Sequence, residues 1–223
     1  MSQMDLFPIP SLLSRPEAVQ ILRPFLGQDL RKIADQLGVT QSLEEVKHQG
    51  WAGHTVEWLL GSSPNNHQAA DFGEWELKVT SVERKDTHNN TQWQPKGQMT
   101  LTSVQPAELI KTAFEDSHLF NKIRHLLIAC RVQSSAADTR SELVMLCEYD
   151  LKDETLIEIK QEYEELQWAL REYGLMGAQE VKLQRLGLQA GSGTRGGGRW
   201  VARKTWVAEM ITIGLRHEQT EGV

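Results

Sequence analysis

The segment DFGEWELK, residues 71–78, carries the strongest chemical signal in the sequence. In a β-strand, residues two positions apart point to the same side, so Glu76 and Lys78 are expected to project together. Asp71 comes just before them, and a bend at Gly73 would turn its carboxylate toward Glu76. Two converging carboxylates form a hard oxygen site suited to Mg²⁺, so Asp71 and Glu76 are the predicted metal ligands.

Lys78 completes this predicted site. Its ammonium group would contact both the attacking water and the phosphate, which helps to form the nucleophile and offsets charge in the transition state. A metal-dependent phosphodiesterase needs this arrangement of two carboxylates and an amine. The alternative is an amphipathic strand with an exposed charged face, because short motifs also match by chance.

Residues 50–60, GWAGHTVEWLL, are predicted to form a helix that ends at Gly61. The apolar side of this helix consists of Val56, Leu59 and Leu60. Glu57 lies within that pattern, and a half-buried carboxylate is costly unless it is paired or close to a metal. The sequence therefore predicts a partner for Glu57, and the alternative is an exposed side chain one position away from the apolar stripe.

The composition is that of an ordinary globular protein, with 223 residues, 39% of them hydrophobic and 24% charged. The net charge of −6, taken alone, argues against a nucleic-acid partner. The charge is unevenly distributed, however, because residues 182–204 contain six basic residues and no acid. Residues 142–165 contain nine acids against Lys152 and Lys160. This asymmetry allows one strongly positive face on an acidic body.

The two cysteines, Cys130 and Cys147, each lie in an apolar run. They are predicted to be buried free thiols in a reducing compartment, neither a disulfide nor a zinc site. No stretch of the sequence reaches 18 apolar residues, and the amino terminus lacks a charged segment followed by an apolar one. We therefore expect a cytoplasmic protein with no membrane partner.

The remaining patterns predict a mixed α/β protein with helices flanking a central sheet. Two helices are expected between residues 15 and 38, and strands near residues 98–104, 126–132 and 142–149. Asp29 is expected to cap the second helix, whose apolar residues Leu30, Ile33, Ala34 and Leu37 lie on one face. The polar residues 83–96 are expected to form a flexible excursion over a substrate. Asp153 is expected to cap a long helix that reaches Tyr173 and exposes its acids to solvent. The core side of this helix is expected to carry Leu156, Ile159, Tyr163, Leu166 and Leu170.

The carboxy-terminal part combines glycines with basic residues. Residues 187–198 contain six glycines together with Arg195, and Arg199, Arg203 and Lys204 follow in an alternating segment. Glycine-rich basic loops can follow a phosphate backbone closely, since their main chain can donate N–H groups. The alternative is a disordered basic loop.

Read as a unit, GWAG, Glu57, Leu60-Gly61, Asp71 and Glu76-Leu77-Lys78 resemble the MutH and Sau3A-type family of DNA endonucleases, within the PD-(D/E)xK nuclease superfamily. The segments GQDLRKIADQLGVT, SHLFNKIRHLLI and RWVARKTWVAEMI are similar to further parts of that family. The resemblance implies a single restriction-endonuclease-like domain over residues 1–223, two-lobed as in MutH. It also implies a helical lobe at about 15–61 and a basic DNA-contacting segment at about 182–217.

The resemblance also assigns roles to residues. It implies that Glu57, Asp71, Glu76 and Lys78 are catalytic, with Lys122 as an additional lysine, and that Asp71 and Glu76 hold Mg²⁺, for which Mn²⁺ would substitute. The implied partner is double-stranded DNA, bound by a monomer or a dimer. The DNA-binding residues would be Gln49, Arg195, Arg199, Arg203 and Lys204.

Several positions depart from the mismatch-repair members of the family. Four residues separate Asp71 from Glu76 where those members have six, and four is the spacing of some MutH-like restriction enzymes. Gln49 replaces a lysine, Val201 replaces an aromatic associated with sensing adenine methylation, and QAGSGTRGGG replaces the stretch that helps to read GATC. The retained catalytic set with changed readout positions favours a type II restriction endonuclease, accompanied by a cognate DNA methyltransferase.

Two alternatives remain open. One is a mismatch-repair endonuclease that nicks hemimethylated sites and is stimulated by partner repair proteins. The other is a DNA-binding module without enzymatic activity, or a transcription regulator, because GQDLRKIADQLG resembles the first half of a helix-turn-helix. The segment SLEEVKHQG that follows is too acidic for a recognition helix, which makes a regulator the weaker alternative.

Overall fold

The computed structural model describes residues 13–39, 50–62, 72–87, 90–132, 140–190 and 198–220. We label the helices α1 (Arg15–Leu22), α2 (Leu30–Gln36), α3 (Trp51–Leu59), α4 (Pro106–Leu109), α5 (His118–Ile123), α6 (Asp153–Glu180) and α7 (Lys204–Thr220). The strands are β1 (Glu76–Thr87), β2 (Asn90–Pro95), β3 (Met99–Val104), β4 (His125–Val132), β5 (Glu142–Asp150), β6 (Leu186–Ala190) and β7 (Gly198–Ala202). Short 3₁₀ turns cover Arg23–Phe25 and Phe114–Asp116.

The described chain forms two compact units. Unit 1 comprises Met1–Gln94 and Leu126–Glu148, and unit 2 comprises Pro95–His125 and Tyr149–Val223. The three helices α1 to α3, predicted for the amino-terminal lobe, all belong to unit 1. The prediction of one domain over residues 1–223 stays a prediction.

The sheet of unit 1 has the strand order β2-β1-β4-β5. Strands β1 and β4 run parallel, with Glu76 opposite Leu126 and Lys78 opposite Ile128. One face of this pair packs against the helices, because Leu77, Leu127 and Ala129 share a buried core. The other members of that core include Leu22 of α1, Ile33 of α2, and Trp51 and Val56 of α3.

Residues 83–96 do not form the predicted flexible excursion, and that prediction is wrong. Strand β1 continues to Thr87 and β2 lies beside it, so that only residues 88–89, which lie outside the described residues, connect the two strands. A connection this short makes the pair a hairpin. The prediction relied on side-chain polarity, whereas the hydrogen bonds of a ribbon join main-chain groups and tolerate exposed polar side chains such as Glu83 and Arg84.

The amino-terminal helices begin and end largely where the sequence predicts. Asp29 caps α2, since its carboxylate accepts hydrogen bonds from the backbone N–H of Arg31 at 3.0 Å and of Ser141 at 2.9 Å. The second bond ties the start of α2 to the residue before β5. Leu37 lies just after the helix and is 36% exposed.

Unit 2 is built on the three-stranded antiparallel sheet β3-β7-β6 and the long helix α6. The core side of α6 is as predicted, with Ile159, Tyr163, Leu166 and Leu170 buried. The helix runs to Glu180, beyond the predicted end, and Gly174 adopts a non-helical backbone with φ 68° inside it. Its N-cap is Lys152 and not the predicted Asp153, which makes no capping hydrogen bond and contributes its charge to the first turn.

The helices and the mixed sheet together confirm the predicted α/β class, and their arrangement is consistent with a restriction-endonuclease-like fold. Cys130 and Cys147 are both buried free thiols, as predicted. In the part of the chain that the structure describes, no helix combines the length and the apolar character needed to cross a membrane.

Candidate active site

Glu76 and Lys78 open strand β1 and project to the same side of the sheet, as predicted. The Nζ atom of Lys78 lies 2.5 Å from Oε1 of Glu76. The Glu76 side chain is 2% exposed and that of Lys78 is 16% exposed. An ion pair so far removed from water is costly to form, and the short contact orients both side chains.

The turn before β1 fixes the backbone that leads into this pair. Phe72 and Trp75 stack with their ring centres 4.2 Å apart, and the N–H of Phe72 donates to the carbonyl of Trp75. Gly73 between them has φ +76°, a conformation that glycine adopts without strain. The indole N–H of Trp75 donates to the carbonyl of Leu13 at 2.8 Å. Asp71, the predicted second metal ligand, directly precedes this turn and lies outside the described residues.

The face of β1 that carries Glu76 and Lys78 also carries Thr80, which is 7% exposed. Sequence reasoning did not select Thr80, although its position four residues after Glu76 places it on the same side of a strand. The opposite face, through Leu77, is anchored in the apolar core. The charged pair is therefore held by burial on the other side of its own strand.

Glu57 lies on helix α3, which contacts β1 within unit 1. Gly50 occupies the N-cap with φ 102°, and Gly61 follows the helix with φ +76°. Glu57 is half-buried at the border of the stripe formed by the buried residues of α3. His54, one turn earlier, has its pKa lowered because burial penalises its charged form.

Lys122 lies on α5 in unit 2 and is 5% exposed. The helix starts at Ser117, whose hydroxyl accepts a hydrogen bond from the backbone N–H of Phe120 at 3.0 Å. His118, one turn before Lys122, lies with its Nε2 2.8 Å from Oγ1 of Thr102. The lysine is thus a buried cation on a short, well-capped helix.

The described residues contain no group of three histidine, cysteine, aspartate or glutamate side chains that could hold a metal ion. Asp71 lies outside the described residues. Glu76 offers a hard carboxylate oxygen shielded from bulk water, which is a suitable ligand for Mg²⁺ but only part of a site. The donor chemistry on β1 therefore fits a divalent cation, provided that Asp71 supplies the second carboxylate.

The basic carboxy-terminal segment is less positive in three dimensions than in the sequence. The guanidinium of Arg185 pairs with Glu158 of α6 at 2.6 Å and with Glu209 of α7. Glu162 of α6 accepts hydrogen bonds from the backbone N–H groups of residues 184–186. Most acids of α6 are exposed, as expected, and two of them, Glu158 and Glu162, also hold the start of β6.

The predicted DNA-binding residues have different surroundings. Arg203 donates from Nε to the carbonyl of Leu186 at 2.9 Å and from Nη2 to that of Val181 at 3.4 Å. Arg199 lies on β7, and its buried Nε has no hydrogen-bond acceptor among the described residues. Lys204 is exposed at the start of α7. Gln49 and Arg195 lie outside the described residues.

Comparison with known proteins finds a family model and curated relatives that match about half of this chain. Residues 60–165 match the family model described as MutH, DNA mismatch repair enzyme MutH. The DNA mismatch repair protein MutH from three strains of Vibrio cholerae serotype O1 is 24% identical over 119 residues. The aligned region makes up 53% of this chain and 51% of the relative, so the chain spans about half the length of the curated relatives it matches.

The match includes the whole DFGEWELK segment and Lys122, whereas Glu57 and the basic segment after residue 165 lie outside it. The motif geometry on β1 and the family match agree on the same part of the chain. Together, the match over residues 60–165 and the paired Glu76 and Lys78 support the assignment of this chain to the MutH and Sau3A-type family of nucleases.

Proposed function

We propose that this protein is a Mg²⁺-dependent, sequence-specific endonuclease of double-stranded DNA, in which Mn²⁺ can replace Mg²⁺. The observation that carries the proposal is the buried pair of Glu76 and Lys78 at the start of β1. A carboxylate and an amine held together in a site with little water suit the hydrolysis of a phosphodiester. Membership of a nuclease family supports the same chemistry.

In the proposed site Asp71 and Glu76 hold the divalent cation. When bound, the cation supplies positive charge at the phosphate and makes a bound water more acidic. Lys78 orients the carboxylate of Glu76 through the 2.5 Å contact and donates to the attacking water and to a phosphate oxygen. The products would carry 5′-phosphate and 3′-hydroxyl ends.

Glu57 and Lys122 complete the proposed catalytic set on the strength of the family resemblance. Glu57 lies on a helix that contacts β1, and its half-buried carboxylate can accept a hydrogen bond from a water or a lysine. Lys122 is a buried cation that suits a role in offsetting negative charge.

The restriction subtype is the preferred form of the proposal. It is supported by the four-residue spacing between Asp71 and Glu76, by Gln49, by Val201 and by the glycine-rich stretch at 189–198. All of these differ from the mismatch-repair pattern while the catalytic residues stay the same. A cognate DNA methyltransferase would protect the host sites.

The second candidate is a mismatch-repair endonuclease that nicks hemimethylated sites. It is supported by the family model and the Vibrio cholerae relatives, which are described as DNA mismatch repair proteins. A requirement for hemimethylated DNA, together with stimulation by mismatch-repair proteins, would distinguish it from a restriction enzyme.

The test is digestion of a plasmid of known sequence in Mg²⁺, followed by sequencing of the ends. We expect cuts at one short sequence with 5′-phosphates, and no cuts in EDTA. Glu76→Gln removes the charge of the proposed ligand, and Glu74→Gln, at an exposed position two residues earlier, is the matched control. Binding of duplex DNA without any cleavage in Mg²⁺ or Mn²⁺ would instead indicate a DNA-binding module.

A further inference from the structure

Two arginines from distant parts of the sequence meet on one tryptophan in unit 1. The Cζ atom of Arg31, on α2, lies 4.0 Å from the ring centre of Trp51, on α3. The Cζ atom of Arg131, on β4, lies 5.4 Å from the same ring centre. Trp51 is 7% exposed and both arginines are half-buried. One aromatic ring, which normally attracts a single cation, therefore has two guanidinium groups near it.

In the part of the chain that the structure describes, no acid forms an ion pair with either arginine. Asp29, the closest acid along α2, uses its carboxylate to accept from the backbone N–H groups of Arg31 and Ser141. Arg131 donates from Nη1 to the hydroxyl of Ser141 at 2.9 Å, and that group is neutral. Burial and the charge of Arg31 lower the pKa of Arg131, which agrees with two cations that lie near each other.

The cluster is separate from the candidate active site. Arg131 pairs with Ser81 in the β1–β4 register, five positions after the pair of Glu76 and Leu126. At roughly 3.3 Å per residue this is about 16 Å along the strands. Because side chains alternate, Arg131 points to the face that packs on the helices, whereas Glu76 points to the other face.

We propose that Arg31, Arg131 and Trp51 form a binding site for a phosphate group on the helix-packed side of unit 1. Each guanidinium presents several N–H donors in a rigid plane, and such donors match the oxygens of a phosphate in pairs. Both guanidinium groups lie near the indole, and their remaining N–H donors would bind the anion. A bound phosphate would also cancel the repulsion between the two cations, so occupancy stabilises the arrangement that creates the site.

The phosphate group can come from a nucleic-acid backbone or from a small free anion, and two measurements separate these sources. The first is calorimetric titration of the full chain with inorganic phosphate and with pyrophosphate. The second is duplex DNA affinity against salt concentration in EDTA, where no cleavage interferes. Wild type is compared with Arg31→Gln and Arg131→Gln in both measurements. The matched control is Lys32→Gln, which removes one charge from an exposed position on α2 that lines a neighbouring cleft with Asp29 and Gln36.

For a free anion, we expect both arginine variants to weaken pyrophosphate binding by about tenfold or more, while Lys32→Gln binds as wild type does. For a nucleic-acid backbone, we expect each arginine variant to flatten the salt slope by about one, with no such change in the control. Either result supports the site and names its source. The proposal is overturned if both arginine variants behave like Lys32→Gln in both measurements.

Two precautions keep the test decisive. Thermal unfolding of each variant shows whether it is folded, and Arg131→Lys keeps a cation where Arg131→Gln would destabilise β4. In Arg31→Gln the backbone N–H still donates to Asp29, so the cap of α2 is kept. This variant decides the outcome if neither variant at Arg131 folds. None of these measurements involves cleavage, so a failure of the proposed nuclease activity would leave this result standing.

Discussion

The start of β1 and the basic carboxy-terminal segment were both predicted to bind the same DNA, and they differ in how far their sequences determine their chemistry. At the start of β1, the relevant partners are two residues apart, and Glu76 and Lys78 lie together as the strand periodicity requires. In the segment 182–204, Arg185 is paired with Glu158 and Glu209, which are 27 and 24 residues away in the chain.

This difference concerns the range of the interactions. The direction of a side chain on a strand is a local property, so a short motif predicts it. The electrostatic potential at a surface depends on all charges that are near it in space. A segment without acids is therefore partly neutralised when an acidic helix packs against it. The number of basic residues in the segment overestimates its positive surface, because one of the six, Arg185, pairs with carboxylates of α6 and α7.

The largest expected effect is on cleavage at the start of β1. Asp71→Ala, Glu76→Ala and Lys78→Ala should each lower the single-turnover cleavage rate by at least about 100-fold, since each removes a charge aimed at the reacting phosphate. Duplex affinity should change much less. Glu74→Ala is the control at an exposed position. Cleavage at the wild-type rate by any of the three variants would show that the motif is an ordinary strand.

The next effect tests whether unit 2 contributes to the chemistry. Lys122→Ala should slow cleavage by about 100-fold while leaving DNA affinity nearly unchanged, because a buried amine acts on charge that develops during the reaction. Lys111→Ala, at an exposed position before the same helix, is the control. A loss of affinity with an unchanged rate would make Lys122 a phosphate contact and would contradict the role carried over from the family.

A smaller effect should appear in stability and not in binding. Arg185→Ala leaves Glu158 and Glu209 without their shared cation and should lower the free energy of unfolding by about 2 kcal/mol. The salt dependence of DNA binding should be the same as for wild type. Urea unfolding of Arg185→Ala and of the exposed control Lys182→Ala measures the first point. If Arg185→Ala flattened the salt slope, this arginine would contact DNA despite its two carboxylates.

The smallest effect separates two arginines that the sequence treats alike. Arg199→Ala should flatten the salt slope of DNA binding by about one, as expected for one lost phosphate contact. Arg203→Ala should leave the slope unchanged and lower stability by about 1 kcal/mol, because its guanidinium donates to the carbonyls of Leu186 and Val181. Equal changes of slope in both variants would restore the simple picture of a uniformly basic segment.

Sequence reasoning succeeded where a single physical rule decides the outcome. The cap at Asp29, the core side of α6, the burial of both cysteines and the shared direction of Glu76 and Lys78 follow from short-range geometry. The polarity of residues 83–96 predicts a loop, which is wrong because the main-chain hydrogen bonds of a hairpin tolerate polar side chains. The cluster of Arg31, Trp51 and Arg131 had no signal in the sequence, since only the fold brings these three residues together.

The division of the chain into two units has a consequence for how the protein is made. The chain crosses between the units three times, and β1 and its parallel partner β4 are separated by the first segment of unit 2. In the growing polypeptide, β1 with Glu76 and Lys78 therefore lacks its parallel partner β4 until residue 132 has been synthesised. Each unit consists of two separate segments, so no single cut of the backbone can separate a complete unit from the other.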